Sequence, residues 1–335
     1  MAELRLAMVG CGRIAQLHLD GIEQRAGRTR VVAAIDPNPE AAGAVARRTG
    51  AAIFPSLGEA LANCDFSAVD IMTPHDTHEA LATEALGAGK HLLLEKPMAV
   101  DLDACDRILA AARAAGTVFM VAENAQYWPE VVTAGRLIAD GAIGDLVTAR
   151  ASCIAFFDPL WYPDDSWRFE HGRAGGGIVM DGGAHWIRPL RMWLGEVESV
   201  VATTSRVIPS MQDESQAHAL MRFESGLVAT LEALTIDAPL WDGPWWRVTG
   251  TGGEVVIRSG EQGGVTLFDR DHPAGLMIAG EYGYGASFSR ELGDFEAVVL
   301  DGKQPAAGPE QSLGELRTAM AIYRSAASGA WEAVW

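Results

Sequence analysis

No apolar run in the chain approaches the ~18 residues that a membrane-spanning helix requires, and cysteine is scarce, with only Cys11, Cys64, Cys105 and Cys153 among 335 residues. The four thiols form no CxxC pair and keep no zinc-like spacing to histidine, so neither a disulfide framework nor a metal site is expected. Positive charge is scarce too. Against 44 acidic side chains stand 26 basic ones, a formal net charge of −18; no basic run concentrates them, which argues against a nucleic-acid partner. The first residues lead directly into an apolar strand that carries the best motif in the chain, so reading them as a cleaved leader would sacrifice that motif. The expectation is a water-soluble, cytoplasmic protein without a membrane partner.

At this length two domains are expected. Leu4 to Gly10 reads as a buried parallel strand, followed by Gly10-Cys11-Gly12-Arg13-Ile14-Ala15 and a helical segment from Arg13 to Arg25. Apolar strands at Val31 to Asp36, Ala68 to Thr73, His91 to Glu95 and Val118 to Ala122 alternate with helical stretches at Pro39 to Thr49, Thr77 to Ala88 and Asp101 to Ala115. This alternation predicts an α/β fold, a doubly wound parallel Rossmann sheet over residues 1–125. Beyond about Trp128 the strands alternate apolar and polar residues and follow one another with few helices between, as in Val147 to Ala155, Val197 to Val207 and Ala217 to Phe223. Residues 126–335 are thus predicted to form an α+β domain with a large, mostly antiparallel open sheet. Its closing helices, 287–301 and 312–327, would pack back on the first domain or across the sheet.

In the glycine motif, Gly10 permits a tight turn, Gly12 lets a pyrophosphate approach the backbone, and Ala15 keeps helix and strand close. Arg13 and Ile14 open the helix at the same place. A lone GxGxxA is weak evidence, but Asp36 follows at the end of the second strand, where an acid binds the ribose hydroxyls. Asp36 would repel a 2′-phosphate, and Pro37-Asn38-Pro39 offers no arginine to receive one. NAD(H) is therefore expected in preference to NADP(H).

Further segments are informative together: Thr73-Pro74-His75-Asp76-Thr77-His78, Glu95-Lys96-Pro97, Glu123-Asn124-Ala125-Gln126, Trp167-Arg168, and Gly175-Gly176-Gly177 leading to Asp181-Gly182-Gly183-Ala184-His185. With a late block ending in Tyr323-Arg324-Ser325-Ala326, they make the chain resemble the glucose-fructose oxidoreductase and inositol 2-dehydrogenase family, Gfo/Idh/MocA, over essentially its whole length. The resemblance implies hydride transfer between nicotinamide and a carbinol or ketone carbon of a sugar, sugar derivative or inositol. It implies Lys96 and His185 beside the reacting oxygen with Asp181 close to both, and Thr73, Pro74, His78 and Glu95 along the cofactor. Such chemistry needs a group that takes the hydroxyl proton; a desolvated lysine or a histidine serves near neutral pH, and the sequence leaves open which of the two does so.

The aromatic and acidic stretch from Ala155 to Arg168 suits the stacking and hydroxyl-binding faces of a carbohydrate. Trp161 and Arg168 are its candidate substrate residues, Arg168 also a candidate for the cofactor; packing of Trp161 and Tyr162 at a subunit interface is the competing reading. Asn124 and Tyr127 follow the sixth strand, where open parallel sheets bind ligands. Trp241, Trp245 and Trp246 read as interior or interface residues. The open sheet predicts a homodimer or homotetramer, since in the family resembled another subunit commonly covers it. Two other functions stay in view: an NAD-dependent glycosidase or eliminase that oxidises its substrate transiently, and a non-catalytic dinucleotide sensor. The intact Lys96, Asp181 and His185 set weighs against the sensor.

Overall fold

Six strands pair in parallel, and the inner ones carry apolar side chains on both faces, because only a sheet covered on both sides can bury them; the edge strand is largely exposed. In a computed structural model, which describes residues 2–25, 27–156 (155 and 156 by backbone alone), 162–163, 166–238, 243–258, 263–278 and 284–335, these strands alternate with helices. The order is β1 (Leu4–Val9), α1 (Arg13–Glu23), β2 (Thr29–Ile35), α2 (Pro39–Thr49), β3 (Ala52–Phe54), α3 (Leu57–Asn63), β4 (Ala68–Ile71), α4 (His78–Gly87), β5 (His91–Glu95), α5 (Leu102–Ala115) and β6 (Phe119–Ala122). The sheet order β3-β2-β1-β4-β5-β6 is that of a dinucleotide-binding Rossmann sheet.

Register decides where the site can lie. Val9 pairs with Ile35 and Ile71, Ile71 with Leu94, and Glu95 with Ala122. The segments leaving the carboxyl ends of these strands, at Gly10, Asp36, Thr73, Lys96 and Asn124, therefore emerge on one edge. The short helix α3 was not anticipated from the sequence; Ser56 begins it by accepting a hydrogen bond from the Glu59 amide.

The chain continues through α6 (Pro129–Ala139), β7 (Leu146–Phe156), α7 (His171–Ala174), α8 (Ala184–Leu194), β8 (Val197–Ser205), β9 (Gln216–Phe223), β10 (Val228–Ile236), β11 (Pro244–Gly250), β12 (Gly253–Arg258), β13 (Gly264–Asp269), β14 (Leu276–Ile278), α9 (Tyr284–Asp301), α10 (Pro309–Ser328) and β15 (Glu332–Ala333). The second sheet has nine strands in the order β14-β13-β12-β11-β7-β10-β9-β8-β15, antiparallel except where β10 runs parallel to β7. Both α6 and α8 lie where few helices were expected. Helix α8 carries a polar stripe of His185, Arg188 and Arg191 at three-residue spacing, yet the fold buries that stripe along with Pro189 and the apolar positions, so the contrast that usually marks a solvent face lies inside here.

By internal packing the chain divides into Met1–Asn124 with Gly285–Leu313, and Ala125–Tyr284 with Gly314–Trp335. The first unit's core joins Leu4, Leu6 and Met8 of β1 to Leu292, Phe295 and Val298 of α9. The second unit's core lies on one face of the nine-stranded sheet, where Ala149, Met221, Leu231 and Trp246 meet Ile187 of α8 and Ile322 of α10. Among the described residues no helix is long and apolar enough to cross a membrane.

Candidate active site

Three helices of the first unit begin with a side-chain cap: Asn38 accepts from the Glu40 amide, Ser56 from Glu59 and Asp101 from Ala104. Helix α1 does not. It starts from Gly12 with no side-chain cap and no acid in its first turn, so its amide donors stay available to an anion. Gly10 turns the chain at φ +84, and a Cβ there would lie 2.5 Å from the Met72 carbonyl oxygen. A Cβ on Gly12 would meet nothing within 4 Å, so the backbone there is open to a ligand. Gly12 and Arg13 are exposed and Ile14 half-buried beside this opening. A pyrophosphate fits this turn.

Asp36 stands beside it. One carboxylate oxygen accepts from the Cys11 amide and the other from the Asn38 amide, each at 2.8 Å, which fixes the acid at the end of β2. Burial, then the Asp36 charge, pushes the Cys11 thiol up to about 12, so it stays protonated near neutral pH. None of the four cysteines forms a disulfide.

The Thr73-Pro74 and Lys96-Pro97 segments are joined by a side chain. His78 is fully buried, with Nδ1 2.9 Å from the Pro97 carbonyl oxygen and Nε2 3.0 Å from that of Thr73. Burial lowers its pKa, so the neutral ring donates to one carbonyl at a time. Glu95 is buried and accepts the Lys96 amide at Oε2, 3.1 Å away; Lys96 itself is half-buried. Asn124 donates to Ser287 Oγ at 3.1 Å.

In the second unit Asp181 sits in a π-helical turn, Val179–Gly183, that runs into α8. Asp181 and His185 are thus on one continuous helical path, although its first turn is wider than an α-helix. Arg168 donates from Nε to Asp181 Oδ2 at 2.7 Å and covers the Trp167 ring with its guanidinium. His185 is buried against Trp128 and Tyr284, with ring centroids 6.1 Å and 6.5 Å away. Tyr127 is buried, and Tyr162 stacks on Phe169. Trp246 is a core residue with Trp245 packed against it. Trp161 and Trp241 lie outside the described residues.

The sequence motifs missed two sets of residues. His18 bridges Asp70 and Glu95 inside the first unit. A histidine on the buried stripe of α1 and an aspartate inside the apolar strand AVDI each require a partner, and that requirement was the available signal. In the second unit the buried Glu214 accepts from the Gly177 and Val179 amides at 3.0 and 2.9 Å and from the Tyr323 hydroxyl at 3.0 Å. It ties down the glycine run before Asp181 and accounts for Tyr323 in the late motif.

A parallel sheet of this order with an uncapped glycine turn and a fixed acid beyond it defines a dinucleotide-binding domain. Residues 4–123 match the model described as "Oxidoreductase family, NAD-binding Rossmann fold", and residues 131–256 match the GFO/IDH/MocA C-terminal domain. The chain belongs to the GFO/IDH/MocA oxidoreductase family. It is 27% identical to 1,5-anhydro-D-fructose reductase from Ensifer adhaerens, over 97% of each chain. It is 28% identical to an NADP(+) D-xylose 1-dehydrogenase from Haloferax volcanii, covering 91% of this chain and 95% of that one. A levoglucosan dehydrogenase solved in complex with NADH has a TM-score of 0.86 and 25% identity, covering 100% of both chains.

Proposed function

We propose that this oxidoreductase transfers hydride between NAD(H) and a carbinol or ketone carbon of a sugar, sugar derivative or inositol. The observation that carries the reading is the bare, open α1 terminus at Gly12 beside the Asp36 carboxylate, two features that suit a pyrophosphate and an unphosphorylated ribose. The names of the relatives support the substrate class. In this reading residues 1–125, together with Gly285–Leu313 that packs with them, form the cofactor domain, and the rest of 126–335 the substrate and oligomerisation domain.

NAD(H), when bound, would supply the hydride acceptor or donor. Gly10, Gly12, Arg13 and Ile14 would hold the pyrophosphate, Asp36 the ribose, and Thr73, Pro74, Glu95, Lys96 and Asn124 the nicotinamide half, with His78 acting through the carbonyls it joins. Lys96 or His185 takes the hydroxyl proton during oxidation and returns it during reduction. Arg168 orients Asp181 to accept from a substrate hydroxyl. Arg168 also serves as a cofactor contact, and Tyr127 and Trp161 complete the substrate wall. The outer faces of β9 and β10, which expose Leu220 and Val228, support a homodimer or homotetramer through this sheet. The four cysteines, none of them in a disulfide, support a reducing, cytoplasmic compartment.

The test is a panel of sugars, inositols and sugar acids with NAD and NADP in both directions, followed by absorbance of the reduced cofactor. Turnover with NAD that Lys96→Ala lowers by about a hundredfold or more is expected. Cleavage of a glycoside without net reduced cofactor would replace this reading with transient oxidation, and unchanged turnover in Lys96→Ala would remove Lys96 from the chemistry.

A further inference from the structure

His18 and its neighbours form a buried charged cluster that the proposed reaction leaves unused. The ring is wholly buried, with Nδ1 2.8 Å from Asp70 Oδ2 and Nε2 3.1 Å from Glu95 Oε1. A carboxylate can only accept, and a neutral imidazole has one N–H to give, so two carboxylate partners call for the doubly protonated ring. Burial opposes that charge and also pushes the Asp70 carboxyl upward, but the short contacts with Asp70 and Glu95 outweigh it and hold His18 well above its ordinary pKa. Phe288 of α9 covers the ring, with centroids 5.3 Å apart.

The other acids near the ring make its cation more valuable. Glu291 of α9 is fully buried, neither of its oxygens has a hydrogen-bond partner among the described residues, and burial pushes its pKa well above the ordinary value, so it is carried as the neutral acid. Glu123, after β6, is buried nearby and adds to that upward push, as do Glu95 and Asp70. His18 is the cation among these acids. Its hold on Glu95 Oε1 leaves Oε2 to accept the Lys96 amide at 3.1 Å. The path Asp70, His18, Glu95, Lys96 runs through β4, α1 and β5 without leaving the first unit.

We propose that His18, clamped between Asp70 and Glu95, is a positioning residue for Lys96. It fixes the Glu95 carboxylate, which in turn fixes the main chain from which the lysine projects. This inference rests on the reading of Lys96 as a reacting residue.

The test compares His18→Gln, Asp70→Asn and Lys96→Ala in the intact protein with the substrate found by the panel, alongside NADH affinity by fluorescence titration. His18→Gln is expected to lower kcat by on the order of tenfold to a hundredfold while KM and the NADH Kd stay within about twofold. It is also expected to shift the acid limb of the kcat profile to higher pH, because losing the buried cation makes the Lys96 ammonium harder to deprotonate. Asp70→Asn should move both quantities the same way by less. A purely structural role would lower thermal stability and leave the profile in place. Should His18→Gln fail to fold, nitrogen-15 NMR of the imidazoles in the unaltered protein decides: His18 stays doubly protonated at pH 8, and ordinary titration near pH 6.5 overturns the proposal. Wild-type kcat and profile in a folded His18→Gln, with Lys96→Ala inactive, overturns it as well; full activity of Lys96→Ala overturns instead the reading on which it rests.

Discussion

Arg168 Nε lies 2.7 Å from Asp181 Oδ2, with both side chains largely shielded from solvent. The pair costs desolvation and returns orientation: the planar guanidinium is held between the Trp167 ring and the carboxylate, so Asp181 presents one fixed face. Arg168→Ala should leave Asp181 unoriented and lower kcat/KM by roughly tenfold to a hundredfold. Arg168→Lys keeps the charge without the planar fork and should fall between. Steady-state kinetics on the preferred substrate check both, and an Arg168→Ala enzyme with wild-type kcat/KM would show that the pair is structural.

Gly177 is held against Glu214 so closely that a Cβ would overlap the Glu214 carbonyl oxygen. Gly177→Ala must therefore move the backbone that leads to Asp181, at an expected cost of about 2–4 kcal/mol. Gly172, five residues earlier in α7, meets nothing within 4 Å of such a Cβ, and Gly172→Ala should change stability by less than about 0.5 kcal/mol. Denaturant unfolding of the two variants makes the comparison, and equal midpoints would contradict the close approach.

Burial pushes the Glu214 carboxyl up to about 7, against the opposing effect of the hydrogen bonds it accepts from Val179, Tyr323 and Gly177. The folded state thus holds this proton more tightly than the unfolded chain. The resulting stability is fully present below the ordinary value of 4.5 and is lost as pH rises through about 7. The loss is on the order of 3 kcal/mol. Subtracting the melting curve of Glu214→Gln from that of the wild type between pH 4 and 8 should isolate the slope, and a flat difference would refute it.

Legibility in the sequence followed distance along the chain. Gly10, Gly12 and Asp36 were readable because one strand-turn-helix-strand unit brings them together, and local spacing fixes their geometry. Strands β1, β2, β4, β5 and β6 of the first sheet and β7, β8 and β9 of the second were readable from apolar runs and alternation, whereas α8 buries even the polar stripe that would mark a surface helix. The partnerships of Glu214 with Gly177 and of His18 with Asp70 span 37 and 52 residues, and no local pattern announces them. What the sequence did show was polar residues in apolar surroundings, Asp70 in β4 above all, and such residues are tolerated only when folding supplies a partner.

Asp36 provides the cleanest test of cofactor choice, because its charge and its hydrogen bonds can be separated. Its two oxygens accept from the Cys11 and Asn38 amides, which hold the carboxylate at the end of β2. Asn in its place can keep one of these acceptor contacts and removes the charge that would face a 2′-phosphate. Asp36→Asn should therefore shift the ratio of NAD to NADP turnover toward NADP by roughly tenfold to a hundredfold, about 1–3 kcal/mol. The gain should shrink as salt rises, since it arises from relief of charge repulsion. Asp36→Ala removes both the charge and the backbone contacts, so it should relax the preference while also weakening NAD binding and lowering the melting temperature. Measuring kcat/KM for both cofactors at two ionic strengths separates these contributions. A ratio unchanged in Asp36→Asn would mean that the carboxylate does not set the cofactor preference, and the discrimination would then have to be sought elsewhere in the turn.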